Sequence, residues 1–439
     1  MNIIAPIITF VQHRAGSRIP RLAKAMERRG WRVRMLTREP LWPDSWQPEK
    51  VTRWGTAGDL IHRVLEDEET YVYHVSQDYD CEWMAGQVLL ARNHQERWHQ
   101  RVVWDLRDIG SMHHRQIVRN GRFSPPQNLA TIHEAWAANR VDGLVHVSGA
   151  CAKWLRDFHP MAAHIPTAMV HNMVTEEQLA PWPPWPDPDT RAGLVYSGGI
   201  GTVGSNSHRD YGEHMKAFVA ADRWGLHPVC VQGSVDPGGQ ESYEALGVEV
   251  CPRVPQAELV QSLTRWRWGL VSFSLSYALG EAAMPNKLWE YLAAGVVPVC
   301  CYAHQARTWC EEQGVGIGGA TLEECLGKMT RETWERCHAQ IRKMHRRWTM
   351  EAQAEAYELL LRNILVRPPQ WAEVWSPVAG VWDPLYEDAM EAGNVVLVDE
   401  EEAVRREFES RLEMPLGTGA RILDECEEFI AGAEAVEVS

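Results

Sequence analysis

Met284-Pro-Asn-Lys-Leu-Trp-Glu-Tyr-Leu-Ala-Ala-Gly-Val-Val-Pro-Val-Cys300 is the stretch that decides the fold. Pro285 suits the first turn of a helix, where its missing N–H would be unpaired anyway, and Gly295 suits the helix end. An apolar strand follows at once, so the segment reads as a helix feeding a buried strand, the unit of a parallel α/β sheet. Lys287 and Glu290 are three residues apart and share a face near the helix start. A lysine is unfavourable beside the positive end of a helix unless an anion sits there too. One reading therefore places a phosphate between the helix N-terminus and Lys287, with Glu290 accepting hydrogen bonds from a sugar's hydroxyls. The other is an ordinary amphipathic helix with its Lys and Glu in water.

The flanking sequence repeats the pattern. Short apolar runs predict strands at Asn2 to Val11, Arg32 to Thr37, Tyr71 to Ser76, Val102 to Leu106, Leu144 to Ser148 and Met169 to Asn172. Helical periodicity falls between them at Ile19 to Arg29, Cys81 to Asn93 and Leu129 to Ala138. Five prolines from Pro181 to Pro188 then exclude a helix or central strand and mark a boundary. Beyond it, strands are expected at Gly193 to Ser197, Pro228 to Gln232, Val248 to Cys251, Gly269 to Phe273 and Val296 to Cys300, with helices near Tyr211 to Asp222, Gln256 to Arg265 and Asn286 to Ala294. Two doubly wound Rossmann-like domains follow, at 1–174 and 191–349, joined by a proline-rich linker at 175–190. Arg331 to Val366 predicts one or two long helices, with 350–372 crossing back to the first domain and an acidic appendage at 373–439.

The 439 residues are 45% hydrophobic and 23% charged, which excludes a disordered, collagenous or coiled-coil chain. No apolar run reaches the ~18 residues of a membrane span, and the opening residues lack the marks of a signal peptide, so a cytoplasmic location is expected. The 10 cysteines show no Cys-x-x-Cys spacing and read as reduced thiols. The net charge of −15 is uneven: residues 373–439 carry 18 acidic and 4 basic residues, whereas the first 122 carry 19 basic and 15 acidic. The helix from Arg18 to Arg29 concentrates Arg18, Arg21, Lys24, Arg28 and Arg29 around an apolar stripe. That face reads either as solvated or as a dock for anionic lipid or nucleic-acid phosphates.

The 284–300 segment resembles the Pro-x-Lys-x-x-Glu-Tyr-x-x-x-Gly-x-Pro-Val signature of GT-B glycosyltransferases, in particular the retaining group called family 4. Tyr73 to Asp80, Val103 to Asp108, Glu134 to Ser148, Val170 to Asn172 and Leu194 to Gly199 resemble further elements of that family, so the likeness spans about residues 2–350. It implies that the two domains face one another across a cleft. It also implies transfer of a sugar from a nucleoside diphosphate-sugar, UDP- or GDP-linked, to an acceptor hydroxyl, with retention and with no metal or tightly bound cofactor required. On this reading Glu290 holds the donor ribose and Lys287 lies at its phosphates. Arg253 and Val254 fall where the family contacts the base. Gly198, Gly199, Arg209, Pro285 and Asn286 complete the donor side. Where many members carry the first Glu of a Glu-x7-Glu motif stands Ala282, with Glu281 one residue earlier; the sugar contact then falls to Glu281 or to backbone amides near Ala282 to Met284.

Gly199-Ile-Gly-Thr-Val-Gly204 also fits a dinucleotide fingerprint, but polar loop formers follow it instead of a helix, which favours a turn approaching donor phosphates. Asp78 and Asp108, at expected strand ends, join Glu281 and Lys287 as catalytic candidates, and Asp105 lies at a strand end too. His13, Ser17, Gln77 and Asp80 are acceptor-side candidates. The acceptor itself stays open, with DNA and a membrane surface among the partners considered. A sugar-nucleotide epimerase and a non-catalytic GT-B scaffold are the competing classes.

Overall fold

The computed structural model describes residues 6–13, 16–41, 46, 48, 50–76, 84–94, 97, 99–106, 137, 138, 140–179, 186–205, 209–273 and 282–367. Strands β1 (Ile7–Gln12), β2 (Arg32–Thr37), β3 (Lys50–Arg53), β4 (Thr70–Ser76), β5 (Arg101–Leu106), β6 (Gly143–His146) and β7 (Thr167–Met169) form a parallel sheet in the order β3-β2-β1-β4-β5-β6-β7. β1 and β5 are buried along their whole length, as strands covered by helices on both faces must be. The covering helices include α1 (Arg18–Arg28), α2 (Ala57–Glu66), α3 (Met84–His94) and α4 (Gly149–Phe158). Thr56 and Ser148 start α2 and α4, each side-chain oxygen accepting a backbone N–H of the first turn.

A second parallel sheet has the order β10-β9-β8-β11-β12-β13, from β8 (Leu194–Ser197), β9 (Val229–Gly233), β10 (Glu249–Pro252), β11 (Trp268–Ser272), β12 (Val297–Cys301) and β13 (Ile317–Gly319). Its helices include α5 (Gly212–Ala220), α6 (Gly239–Glu244), α7 (Gln256–Leu263), α8 (Asn286–Ala293), α9 (His304–Gln313), α10 (Leu322–Lys328) and α11 (Arg331–Met344). The last helix, α12 (Met350–Leu365), crosses back as expected. Its Met350, Ala354, Tyr357, Leu361 and Ile364 enter the core of the first domain beside Phe10, Val72 and Val103. Two chain crossings lie side by side, because Val174 and Thr349 form a parallel bridge and the Met350 N–H donates to the Val174 carbonyl at 2.8 Å.

Most expected elements fall within one or two residues of their sequence bounds, and the departures have local causes. β3 is a short edge strand whose side chains are largely exposed, so it carries no apolar signal. β7 ends at Met169 rather than continuing to Asn172, because the chain turns there toward the domain crossing and the Asn172 side chain is taken by Arg18. The helix expected at Leu129 to Ala138 falls outside the described residues except Ala137 and Ala138, which are helical, as do most of the proline-rich stretch and the acidic 373–439 segment. The eight cysteines described are free thiols, six of them between Cys251 and Cys337.

Candidate functional site

In both sheets the strand order reverses once, and such a switch point opens a crevice at the strand carboxyl ends. In the second sheet it lies between β8 and β11, which pair only through Trp268↔Leu194 and Gly269↔Val195 and then part. Tyr291 of α8 fills the parting. Its hydroxyl accepts from the Ser197 N–H at 2.7 Å and lies 3.2 Å from the Val195 carbonyl. The ring crosses β11 where only glycine fits, since a Cβ on Gly269 would come within 2.5 Å of it. The other end of α8 is held by the buried Arg191, whose Nη1 donates to the Ala294 and Gly295 carbonyls at 3.0 Å. Anchored in this way, α8 presents its N-terminus to the crevice with no side-chain cap and no acidic residue in its first turn. The Leu288 N–H turns back to the Pro285 carbonyl at 3.1 Å, and the Asn286 and Lys287 N–H groups with the helix dipole suit an anion.

The crevice is a cavity of about 440 Å³, and it gathers most of the expected donor-side residues. Gly198, Gly199, Arg209, Arg253, Val254, Asn286, Lys287 and Glu290 all line it, and Pro285 precedes α8 at its edge. The Lys287 ammonium lies 3.6 Å above the Tyr196 ring. Burial drives its pKa down to about 7, with Glu290 opposing and Arg209 adding to the shift. Gly198, at φ +150°, passes close beneath this lysine, and a Cβ on Gly233 would meet the Gly198 carbonyl at 2.0 Å, so the two strand-end loops touch. Glu290 accepts from Gln256 Nε2 at 3.1 Å and lies 3.6 Å from Arg21 Nη2 of the first domain. Tyr196, Tyr211, Gln232, Ser234 and Gln256 also line the cavity and escaped sequence reading. Polar and aromatic residues at strand ends look the same in sequence whether they face a ligand or a loop.

The first domain meets this site along a tight seam. Ser148 Oγ donates to the Ala282 carbonyl at 2.6 Å, and the Ala282 methyl packs with Val147 and Cys151. Ala282, standing where the family resemblance would place a glutamate, is thus an interdomain contact buried to 3% exposure. Asn286 Nδ2 lies 3.5 Å from Ser17 Oγ, and Asn172 Nδ2 3.5 Å from the Met284 carbonyl. His171 packs at a tilt against Trp289 of α8, with centroids 4.9 Å apart.

Asp105 and the basic face of α1 both turn their charges inward on the protein. Asp105 does not converge on the cleft: it is fully buried, and Arg18 grips it through Nε and Nη2, both at 2.8 Å. The same Arg18 donates to the Val170 carbonyl and Asn172 Oδ1, while His74 joins Asp105 Oδ2 at 3.2 Å and the Tyr357 hydroxyl at 2.8 Å. The cations on the basic face of α1 are likewise paired within the protein. Arg18 holds Asp105, Arg21 faces Glu290, Lys24 pairs with Glu177, Arg28 with Glu177 and Glu351, and Arg29 with Glu358. Ser17 sits at the seam, whereas His13 turns to Arg38 at 3.1 Å and toward Trp54. Gln77, Asp78, Asp80, Asp108 and Glu281 lie outside the described residues. Among the described residues, no three His, Cys, Asp or Glu side chains group as a metal site, and no helix is long and apolar enough to cross a membrane.

The sequence matches no protein-family model and no curated protein. Solved structures do match. The chain is similar to sucrose-phosphate synthase from Thermosynechococcus elongatus, with TM-score 0.59, 15% identity, and 82% of this chain covering 99% of that one. It is similar to HepE from Anabaena, solved with UDP, with TM-score 0.57, 12% identity, and 82% of this chain covering all of that one. An alpha-glucosyltransferase solved with UDP and a 13-mer DNA gives TM-score 0.53, 9% identity, and 83% of this chain covering 100% of that one. The chain has the GT-B fold, with two parallel doubly wound sheets and a C-terminal helix returning to the first domain.

Proposed function

We propose that the protein is a glycosyltransferase that moves a sugar from a nucleoside diphosphate-sugar to an acceptor hydroxyl, with retention at the sugar's anomeric carbon. One observation carries the reading: the uncapped N-terminus of α8 and the half-buried Lys287 converge with Arg209 and Glu290 on one cavity at the sheet's switch point. Lys287, Arg209 and the first N–H groups of α8 neutralise the diphosphate, Glu290 takes the ribose hydroxyls, and Arg253 with Val254 flank the base. The bond from the anomeric carbon to the phosphate oxygen breaks and a bond to the acceptor oxygen forms. The acceptor's proton passes to the departing phosphate, whose developing charge the same cations stabilise. UDP-sugars are the first donors to try, since two of the similar structures were solved with UDP. The paired cations of α1 remove the argument that this helix recruits a polyanionic acceptor.

Thermal unfolding with UDP, GDP and their sugars tests the donor site. A ligand that binds only the native state at about 100 times its Kd stabilises it by about 2.7 kcal/mol. The expected result is a rise in Tm with one base, lost in Glu290→Ala. No rise with any nucleotide at millimolar concentration overturns the reading in favour of a non-catalytic scaffold.

A further inference from the structure

Arg21 belongs to the first domain, yet its guanidinium is spent on neither a full set of partners nor water. It is 5% exposed; Nη1 donates to the Met173 carbonyl at 3.2 Å, and Nη2 has no hydrogen-bond acceptor within reach, its nearest carboxylate being Glu290 Oε1 at 3.6 Å. Burying such a group half-bonded is costly unless something else holds it in place. Glu290 is the mirror case. Its Oε1 faces both Gln256 and Arg21, and among the described residues its Oε2 takes no hydrogen bond while the residue lines the cavity. A carboxylate gripped by one oxygen has its rotation fixed, and the second oxygen is then aimed. Burial pushes the Arg21 pKa down, and Glu290 and, more weakly, Glu351 oppose the shift.

We infer that Arg21 is a positioning residue for the donor: by holding Oε1 of Glu290 across the domain seam, it presents Oε2 to the donor's ribose. This rests on the donor reading above. Arg21 also donates to Met173, one residue before the Val174–Thr349 crossing, so the same guanidinium spans the first domain, the crossing and the donor carboxylate. The ribose is therefore read well only when the two domains stand at the separation seen here.

The test measures binding of UDP against its 2′-deoxy and 3′-deoxy analogues by calorimetry, for wild type, Arg21→Gln, Arg21→Lys, Glu290→Ala and the Arg21→Gln/Glu290→Ala double variant. Should the donor screen select another base, the corresponding diphosphates replace UDP. Wild type is expected to favour the ribonucleotide by about tenfold or more, as a hydrogen bond to a charged group should. Arg21→Gln should shrink that preference to nearly one, Arg21→Lys should restore part of it, and the double variant should be no worse than Glu290→Ala alone. All ligands are compared on one preparation, so partial unfolding cancels from the ratio; should Arg21→Gln fail to fold, Arg21→Lys must still narrow it. A preference unchanged in both Arg21 variants, or losses that add in the double variant, overturns the inference. If Glu290→Ala also leaves the preference intact, the donor reading falls with it; if Glu290→Ala abolishes the preference and Arg21→Gln does not, only Arg21's role falls.

Discussion

Beside the first sheet's switch point, Arg18, Asp105, His74 and Tyr357 are bonded to one another away from water; at the second sheet's switch point, Lys287 and Arg209 face an open cavity. The topology is the same, since each sheet reverses its strand order at the strand that follows the domain's first βα units. What differs is that the first cluster is closed on itself, whereas Lys287 borders an open cavity. Arg18 makes four hydrogen bonds within its own domain and is 2% exposed, so it is turned inward rather than toward a ligand. Lys287 rests on an aromatic face with its charge disfavoured, and an anion entering the cavity would stabilise it. A buried cation with a full set of partners is a fastener, and one whose pKa is displaced in a cleft is a candidate for chemistry.

The strongest way to break that contrast is Arg18→Ala. Removing one partner of a buried ion pair costs about 3–5 kcal/mol, because Asp105 is left as an uncompensated buried charge. Denaturant unfolding should show that loss, while the remaining folded protein binds nucleotide normally. The pH dependence carries the same sign. Burial alone would raise the Asp105 carboxyl, but Arg18 and the His74 hydrogen bond outweigh it and hold its pKa well below the usual carboxylate range. A carboxyl lowered on folding contributes stability that is complete above its unfolded pKa of about 3.9 and disappears as pH falls below it. Stability of the wild type should therefore drop more steeply below pH ~4 than that of Arg18→Ala. An Arg18→Ala variant that keeps its stability and loses nucleotide affinity would move these charges into the site.

Lys287→Ala should reverse the pattern, with little change or a gain in ligand-free stability and a loss of about 10- to 100-fold in nucleotide-sugar affinity, the range of a charge-assisted hydrogen bond. Its lowered pKa gives a pH signature. In the free protein Lys287 is protonated below about pH 7 and increasingly neutral above it. The diphosphate of a nucleotide-sugar has no ionisation of its own near neutrality and raises the lysine's pKa when bound. Binding above pH 7 therefore takes up a proton, and affinity should fall by up to about tenfold per pH unit between pH 7 and 9, an effect absent in Lys287→Ala. A flat profile in the wild type would show that Lys287 does not meet the phosphates.

This contrast also governs how much could be read in the sequence. The helix-then-strand logic of Met284 to Cys300 is local, and Pro285, Gly295 and the apolar run after them place α8 and β12 within one residue. The donor side is legible for the same reason: Lys287 and Glu290 are brought together by helical spacing alone. The seam is not local. Arg21 meets Glu290 across 269 positions, and in the sequence it is one of five cations around a helix, with nothing to separate it from its neighbours. The basic face of α1 misled because helical periodicity marks which residues lie off the apolar stripe, whereas the acidic partners Glu177, Glu351 and Glu358 come from the crossing segments and α12. Ala282 was visible as a departure, but only the packing against Val147 and Cys151 shows that a small residue there lets the domains touch.

The smallest expected effect lies on the outer face of α1, where the contrast between fastened and open charge should weaken with exposure. Glu177 bridges Lys24 and Arg28, but its side chain is 54% exposed and Arg28's is 37% exposed, so water screens both pairs. Exposed ion pairs contribute about 0–1 kcal/mol, and Glu177→Gln should lower unfolding free energy by no more than that, less at high salt. The substitution also releases Lys24 toward solvent and leaves Arg28 with Glu351 alone, which makes it a sharper probe of the docking idea than any charge removal. If Lys24 and Arg28 are fasteners, wild type and Arg28→Glu should be retained equally on anionic phosphatidylserine vesicles, and Glu177→Gln should be retained slightly more than either. Retention of the wild type that Arg28→Glu abolishes would mean that the face binds anions despite its pairs, and that exposure, not pairing, decides which charges in this molecule are available.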